Sequence, residues 1–496
     1  MKMNNHGVTP LFDALKVYVE NETIPFHVPG HKKGQGMHKS FRDFVGSNVL
    51  SMDVTVFKSV DSLHNPKSVI KLAQEMAADA YGSDHCFFSV HGTSGAIQVM
   101  IMSVVGLGDK IILPRNVHKS VAAGIILSGS QPVYMQPEID DQIGVALNVT
   151  PETVRQTLNE HPDAKAVLII NPTYYGVSAD IEEIAKIVHE YDIPLIVDEA
   201  HGPHLKFYQE LPISAMEAGA DMCAQSTHKL IGAMTQGSLL HVKGQLVDVK
   251  KVKSLMNMMH TTSPSYIVMA SLDVARMRMV VEGHEILKNS VELANDLRKS
   301  INEIPGLFCF GKEVLTKAGA YDFDPTKITV NCRNLGISGY TLEQILANEY
   351  KIQVELSDLY NILAVVTIGD TIESVSMLNF ALQEISARFG LVDFIEDIME
   401  MPRIPPRLMS PRDAFYGSTK QVVIEESVGE ICAEIIMAYP PGIPIITQGE
   451  IITEEIVQYI KILKMSGLDV QGTEDPYVNY VKVIDVQVVS QIVPIA

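Results

Sequence analysis

The sequence predicts an α/β protein built on a mostly parallel sheet, and the pattern between about residue 60 and residue 245 carries that prediction. Here short, β-branched apolar runs alternate with helical stretches: KIILP, PVYMQP, AVLII, PLIVDEA, ADMCAQS and GSLLHV. Turn residues bound each run. Strands separated by helices read as βαβ units, whose crossovers leave neighbouring strands parallel. Polar residues able to do chemistry follow directly on several runs, which is where such sheets bind ligands.

In chain order, residues 1–60 form a helix and loop segment. Thr9-Pro10 is a helix start signal, Leu11, Phe12, Ala14, Leu15 and Tyr18 are apolar at helical spacing, and the Gly/Pro/His-rich FHVPGHKKGQG breaks the pattern. Residues 61–285 hold the large domain. A helical stretch from Pro264 to about Ser300 leads out of it into a smaller α/β domain, 286–400, with strands expected around Ile328–Cys332 and Leu363–Thr367. Ile372, Val375, Leu378, Leu382 and Ile385 share one helical face there. MPRIPPRLMSP (401–411) reads as a linker or wrapped connection opening a C-terminal domain, 401–496, with a second Pro/Gly cluster at YPPGIP.

Composition narrows the classes. Hydrophobic residues make up 46% and charged residues 20%, ordinary globular usage. A formal net charge of −20 would repel a phosphate backbone, so a nucleic-acid partner is not expected, whereas a cationic small substrate is compatible. Five scattered cysteines (Cys86, Cys223, Cys309, Cys332, Cys432) form no C-x-x-C pair and read as reduced thiols rather than a disulfide framework or a zinc site. MKMNNHGVTP has no apolar core to make it a signal peptide, and no run of about 18 uncharged apolar residues occurs. A cytoplasmic protein without a membrane span is the expectation.

The first chemical motif is VDEAHGPH, in which an apolar run ends in Asp198. An aspartate at the end of a buried parallel strand sits at the ligand edge of the sheet, where its charge must find a partner. A nucleotide-hydrolase DEAH box would need a G-x-x-x-x-G-K-[ST] phosphate loop, which the chain lacks. A metal site from Asp198, His201 and His204 lacks both a regular helix to space the ligands and a clear further ligand. A third reading has Asp198 salt-bridge a protonated pyridine nitrogen.

That reading demands a lysine able to form a Schiff base, and QSTHKLIGAMTQGS supplies Lys229 one strand-helix-strand step after Asp198. Ser226 and His228 beside it offer donors for a phosphate, and Gly232 and Gly237 allow close backbone approach. A phosphate also needs a cradle. Gly92, Thr93, Ser94 and Gly95 in SVHGTSGAIQVM place two hydroxyls and unpaired backbone N–H groups at a helix start. His118 in PRNVHKS follows another strand, where its ring could lie flat against a cofactor. Aminotransferases and aldolases of the same cofactor class need the same aspartate and lysine, so these residues alone leave the reaction open.

The order HGTSG, PRNVHKS, NPTYYG, VDEAHGPH, STHKL resembles the bacterial ornithine, lysine and arginine decarboxylases, a fold type I pyridoxal-phosphate family with an aspartate-aminotransferase-like large domain. The likeness runs from FHVPGHKKGQG to DAFY and YPPGIP, nearly end to end, and is strongest to the short Bacillus-type biosynthetic arginine decarboxylases. It implies Lys229 as the Schiff-base lysine, Asp198 as the pyridine-nitrogen partner and His118 as the ring-stacking histidine. It places Thr93, Ser94, Gly95, Ser226 and His228 on the phosphate side, with Ala200 and His201 near the ring. Thr261, Thr262 and Ser263 in MHTTSPSY would reach into the neighbouring subunit's site, making a homodimer with shared active sites the catalytic unit. Glu355 in VELSDLYN would meet the substrate's distal cationic group, with Asp358 the neighbouring candidate.

The reaction so implied is decarboxylation of a basic amino acid with pyridoxal 5′-phosphate and no metal: arginine to agmatine in polyamine biosynthesis, with lysine to cadaverine or ornithine to putrescine as alternatives. Protonation of the product carbon falls to Lys229 or a nearby histidine such as His228. An inactive polyamine-binding homologue is the remote alternative. Longer family members carry a response-regulator-like N-terminal domain; this chain begins almost directly with FHVPGHKKGQG, and a dimer or tetramer is expected rather than a large ring assembly.

Overall fold

The computed structural model describes residues 5–140, 142–392, 402–439, 443–465 and 469–486. Residue 401 of the expected linker and residues 440–442 of the Pro/Gly cluster lie outside the described residues. The chain forms two compact units, one from Met1–Val104 with Pro194–Asn289, the other from Val105–Ile193 with Ser290–Ala496.

In the first unit the strands follow the order His85–Ser89, Ser238–Val242, Met222–Gln225, Leu195–Asp198. The last two are parallel, as a crossover requires, and their register sets Asp198 level with Ala224. Every residue of both is buried, which explains why they read as continuous apolar runs rather than alternating ones. Ser238–Val242 departs from the expected parallel pattern and runs antiparallel to Met222–Gln225. The helix between them, Thr227–Leu230, has only four residues, too few for a crossover, so the chain must turn straight back.

The N-terminal helix forms over Pro10–Glu20 with Pro at its first position, and Leu11, Leu15 and Tyr18 are its buried face. Leu11 and Leu15 share a core with Ile70, Ala73 and Ala77 of the helix Val69–Tyr81. The segment before it is tied down by charge. Arg276, fully buried on the helix Tyr266–Asn302, pairs with Asp273 at 2.7 Å and donates to the carbonyls of His6 and Val8.

In the second unit Lys110–Pro114 lies between Gln131–Met135 and Ala166–Ile170 and is parallel to both. A smaller antiparallel sheet, Phe308–Cys309, Lys327–Asn331, Asn361–Val365, Leu356–Ser357, packs against the helix Ile372–Phe389. Leu378, Leu382 and Ile385 are buried as the helical pattern predicts; Ile372, in the first turn, is exposed and the buried face begins later along the helix. A C-terminal core gathers Ile436, Ile446, Ile456, Ile460 and Val483.

Ion pairs of the buried Glu450 with Arg115 and, at 3.4 Å, Arg407 fasten this C-terminal region to the parallel strands of its unit. Arg115, just past Lys110–Pro114, donates to both carboxylate oxygens of Glu450, at 2.8 and 2.9 Å, and to the carbonyl of Ile445. Arg115 and Arg407 both lie over the Tyr134 ring, 4.7 and 5.2 Å from its centroid. Glu450 is fully buried, so removing it strands a guanidinium in the core. Glu450→Ala is expected to destabilise the protein by about 3–5 kcal/mol in urea unfolding; a change below about 1 kcal/mol would show that the pair is not what holds this region.

Candidate active site

The first unit brings Asp198, Ala200, His201, Ser226, His228, Lys229 and the Gly92–Gly95 segment together around the ends of its strands. Asp198 closes the strand Leu195–Asp198 and is buried. Among the described residues the one donor to its carboxylate is the backbone N–H of Ala200, at 3.1 Å. Burial pushes its pKa up to about 6, against the smaller opposing effects of that hydrogen bond and of the Lys229 charge. This is a carboxylate short of positive charge.

Lys229 projects from the short helix Thr227–Leu230, whose N-cap is Ser226. Its Nζ lies 2.8 Å from Nε2 of the buried His201. With Lys229 as the ammonium, Nζ donates and His201 Nε2 accepts. His228 is fixed differently: its Nδ1 donates to the carbonyl of Gly237 at 2.9 Å. Gly237 admits no side chain, since a Cβ there would come within 2.9 Å of the Met234 carbonyl oxygen.

The Gly92-Thr93-Ser94-Gly95 segment is the first turn of the helix Gly92–Val104, entered from the strand His85–Ser89. Gly92 has φ +66°, the left-handed conformation that a glycine adopts without strain. Ser94 is exposed, whereas Thr93 is buried and bonds through Oγ1 to Ser226 Oγ at 2.5 Å and Ser238 Oγ at 2.8 Å. Thr93 and Ser226 thus hold each other, joining the helix start to the Lys229 turn. Thr261 and Thr262 are exposed after the helix Val249–Met259, and Thr261 Oγ1 accepts the N–H of Ser263 at 3.3 Å.

The remaining expected residues belong to the second unit. His118 is the N-cap of the helix Lys119–Ser128, its ring accepting the N–H of Ser120. Glu355 is exposed. Asp358 is committed to its own turn: it accepts from the N–H groups of Tyr360 and Asn361, from Asn361 Nδ2, and from the Tyr175 hydroxyl at 2.9 Å.

Three buried residues beneath the site escaped the sequence reading: Glu199, Gln225 and Ser238. The available signal was a polar side chain at the edge of an apolar strand run, as in MCAQ and SLLHV.

The residues present fit a cationic heteroaromatic ring carrying a phosphate and an aldehyde: a carboxylate whose burial outweighs the effect of the nearby Lys229 charge, an amine beside a histidine, and a helix start where Gly92 and Gly95 N–H groups are paired to carbonyls while those of Thr93 and Ser94 face outward with the Ser94 hydroxyl. The fold and this site define an enzyme on the aspartate-aminotransferase-like, fold type I plan, and its relatives mark it as a carboxy-lyase. The family model described as Orn/Lys/Arg decarboxylase, major domain, matches residues 9–374, and that of its C-terminal domain matches residues 398–476. This chain belongs to the Orn/Lys/Arg decarboxylase family. An arginine decarboxylase of Bacillus anthracis is 51% identical over 478 residues, 96% of this chain and 97% of its own length. The inducible lysine decarboxylase of Escherichia coli K12 is 27% identical over 573 aligned positions, covering 95% of this chain and 79% of the relative. The crystal structure of the Francisella novicida lysine decarboxylase LdcF shares the fold, with a TM-score of 0.82 at 24% identity over 96% of this chain and 81% of that one.

The burial of Asp198 has a measurable consequence without cofactor. Its folded pKa lies above the unfolded value, so the folded state holds the proton between about pH 4 and pH 6 and this contribution to stability is lost as pH rises through that window. Asp198→Asn is expected to stabilise the cofactor-free protein by about 1–3 kcal/mol at pH 8 and to change it little near pH 4. A difference independent of pH in denaturant unfolding would contradict the assignment.

Proposed function

We propose that this chain decarboxylates L-arginine to agmatine and carbon dioxide with pyridoxal 5′-phosphate, in polyamine biosynthesis in the cytoplasm. The observation that carries the reading is Lys229 Nζ at 2.8 Å from His201 beside the buried Asp198, in a chain about half identical along nearly its whole length to an arginine decarboxylase. Among the described residues no helix is long and apolar enough to cross a membrane.

When bound, the cofactor supplies an electron sink for the pair released as carbon dioxide leaves. The chain's residues hold and charge it. Lys229 Nζ is the amine that would anchor it, and His201 Nε2 is placed to take a proton from that nitrogen. Asp198 would keep the ring nitrogen protonated, and a cation there would lower its raised pKa. The N–H groups of Thr93 and Ser94 and the Ser94 hydroxyl would take the phosphate, with Ser226 and His228 alongside, since the N–H groups of Gly92 and Gly95 already donate to the carbonyls of Gln236 and His91. His118 would lie against the ring.

Glu355 is the proposed partner of the guanidinium, its charge offsetting that group's desolvation. Asp358, already filled by four donors, would act more by shaping the turn that follows Glu355. Exposed Thr261 and Thr262 are proposed to complete the site of a second copy, making the homodimer the catalytic unit.

Purified protein given pyridoxal phosphate and, separately, arginine, lysine and ornithine should release carbon dioxide and agmatine from arginine, with little amine from the others. Lys229→Ala should abolish both release and the near-visible band of bound cofactor. A preference for lysine would overturn the substrate, and an active Lys229→Ala the site. Glu355→Gln should lower kcat/KM for arginine by roughly 10- to 100-fold while leaving the cofactor dissociation constant unchanged; an unaltered kcat/KM removes Glu355 from the pocket.

A further inference from the structure

Glu199 follows Asp198 in the chain, and successive residues of an extended strand project to opposite faces. Its side chain accordingly makes a separate set of contacts. It is fully buried, and its carboxylate accepts the N–H of Ala215 at 2.6 Å and Nε2 of Gln225 at 2.7 Å, with the Cys223 thiol as a further donor. No cation is among these partners, and burial pushes the carboxyl up to about 7. An apolar side chain would fill such a position without the desolvation a carboxylate suffers. A carboxylate offers instead several acceptors at one point.

Those acceptors act where the ladder ends. The strands Leu195–Asp198 and Met222–Gln225 are held by backbone pairing up to the Glu199 N–H, which donates to Ala224 at 3.0 Å. Beyond it one chain turns away through Ala200 and the other through Ser226 into the Lys229 helix; a single 3.3 Å backbone bond, Ser226 N–H to Ala200, crosses the gap. The Glu199 to Gln225 bond is a side-chain tie across the same gap, beside the Cys223 thiol's bond to Glu199 from the same strand. It continues into a buried chain of hydrogen bonds: the Gln225 carbonyl accepts from Ser238 Oγ at 2.6 Å, Ser238 Oγ bonds Thr93 Oγ1, and Thr93 bonds Ser226 Oγ.

We propose that Glu199 is a positioning residue: acting through Gln225, it fixes the separation between the strand end carrying Asp198 and the turn carrying Lys229. The proposal rests on the reading of Asp198 and Lys229 as the cofactor's partners. It predicts that the donor and acceptor order of the pair matters, beyond its volume. In Glu199→Gln one amide N–H₂ faces another donor unless Gln225 turns over, which restores the bond but carries the Gln225 N–H₂ to the buried side where Oε1 has no partner among the described residues. In the exchange Glu199→Gln with Gln225→Glu, the amide at 199 still accepts from Ala215 and donates to a carboxylate at 225.

The test compares the parent, Glu199→Gln, Gln225→Met and the exchange as holoenzymes. The readouts are the pH midpoint of the near-visible band of bound cofactor, the dissociation constant for pyridoxal phosphate added to apoprotein, and kcat and KM for arginine. Glu199→Gln and Gln225→Met should each move the midpoint by at least half a pH unit and lower kcat at least 10-fold, with KM changed less than 3-fold. The exchange should recover most of both. Parent-like midpoint and kcat in either single variant, or an exchange that folds but stays as impaired as Glu199→Gln, would overturn the proposal. If Glu199→Gln does not fold, Gln225→Met and the exchange decide alone. A parent that shows no cofactor band refutes the function proposed above; a normal parent band with unresponsive variants refutes only the role of Glu199.

Discussion

The site depends on one pairing: the parallel register of Leu195–Asp198 with Met222–Gln225. Because Asp198 stands level with Ala224, the acid ends its strand a few residues before Lys229 leaves the next one. Two residues far apart in sequence become members of one site, since a parallel pair brings both carboxyl ends to the same edge. The short helix and the return of Ser238–Val242 then close the turn that carries the lysine.

The acids of this protein divide by how completely they are satisfied. Glu450 meets a bidentate guanidinium, and Asp358 is filled by four hydrogen-bond donors. Glu450 is a buried charge offset by that guanidinium, whereas Asp358, half-buried, spends its acceptor oxygens on its own turn and its pKa is still pushed up by burial. Asp198 has one backbone donor and a raised pKa, the condition of a group awaiting a cation. Glu199 is intermediate, with neutral donors enough to hold it but no counter-charge, which suits a brace between strands better than a partner for a ligand.

Hydroxyls do comparable work on the other side of the lysine. Thr93 and Ser226 bond each other, so they tie the helix start to the lysine turn, and the exposed Ser94 is the hydroxyl that remains turned outward. A sequence motif of two adjacent hydroxyls therefore divides into one that is buried and braces the helix start and one that is exposed. The distinction follows from helix geometry, in which adjacent residues of a first turn point about 100° apart.

What the sequence determined by itself is local chemistry and local periodicity. The helix at Pro10, the apolar runs, the acid closing PLIVDEA, the lysine in STHKL and the Gly-Thr-Ser-Gly helix start were all legible, because each depends on residues adjacent in the chain. The order of these motifs was enough to identify the family. Only the tertiary structure decided which strand runs antiparallel, that His201 meets Lys229, that Asp358 is consumed by its own turn, and that Glu199 reaches Gln225. Those facts depend on register and burial between segments distant in the chain, and no side chain carries in its own identity which partner a neighbouring strand will bring.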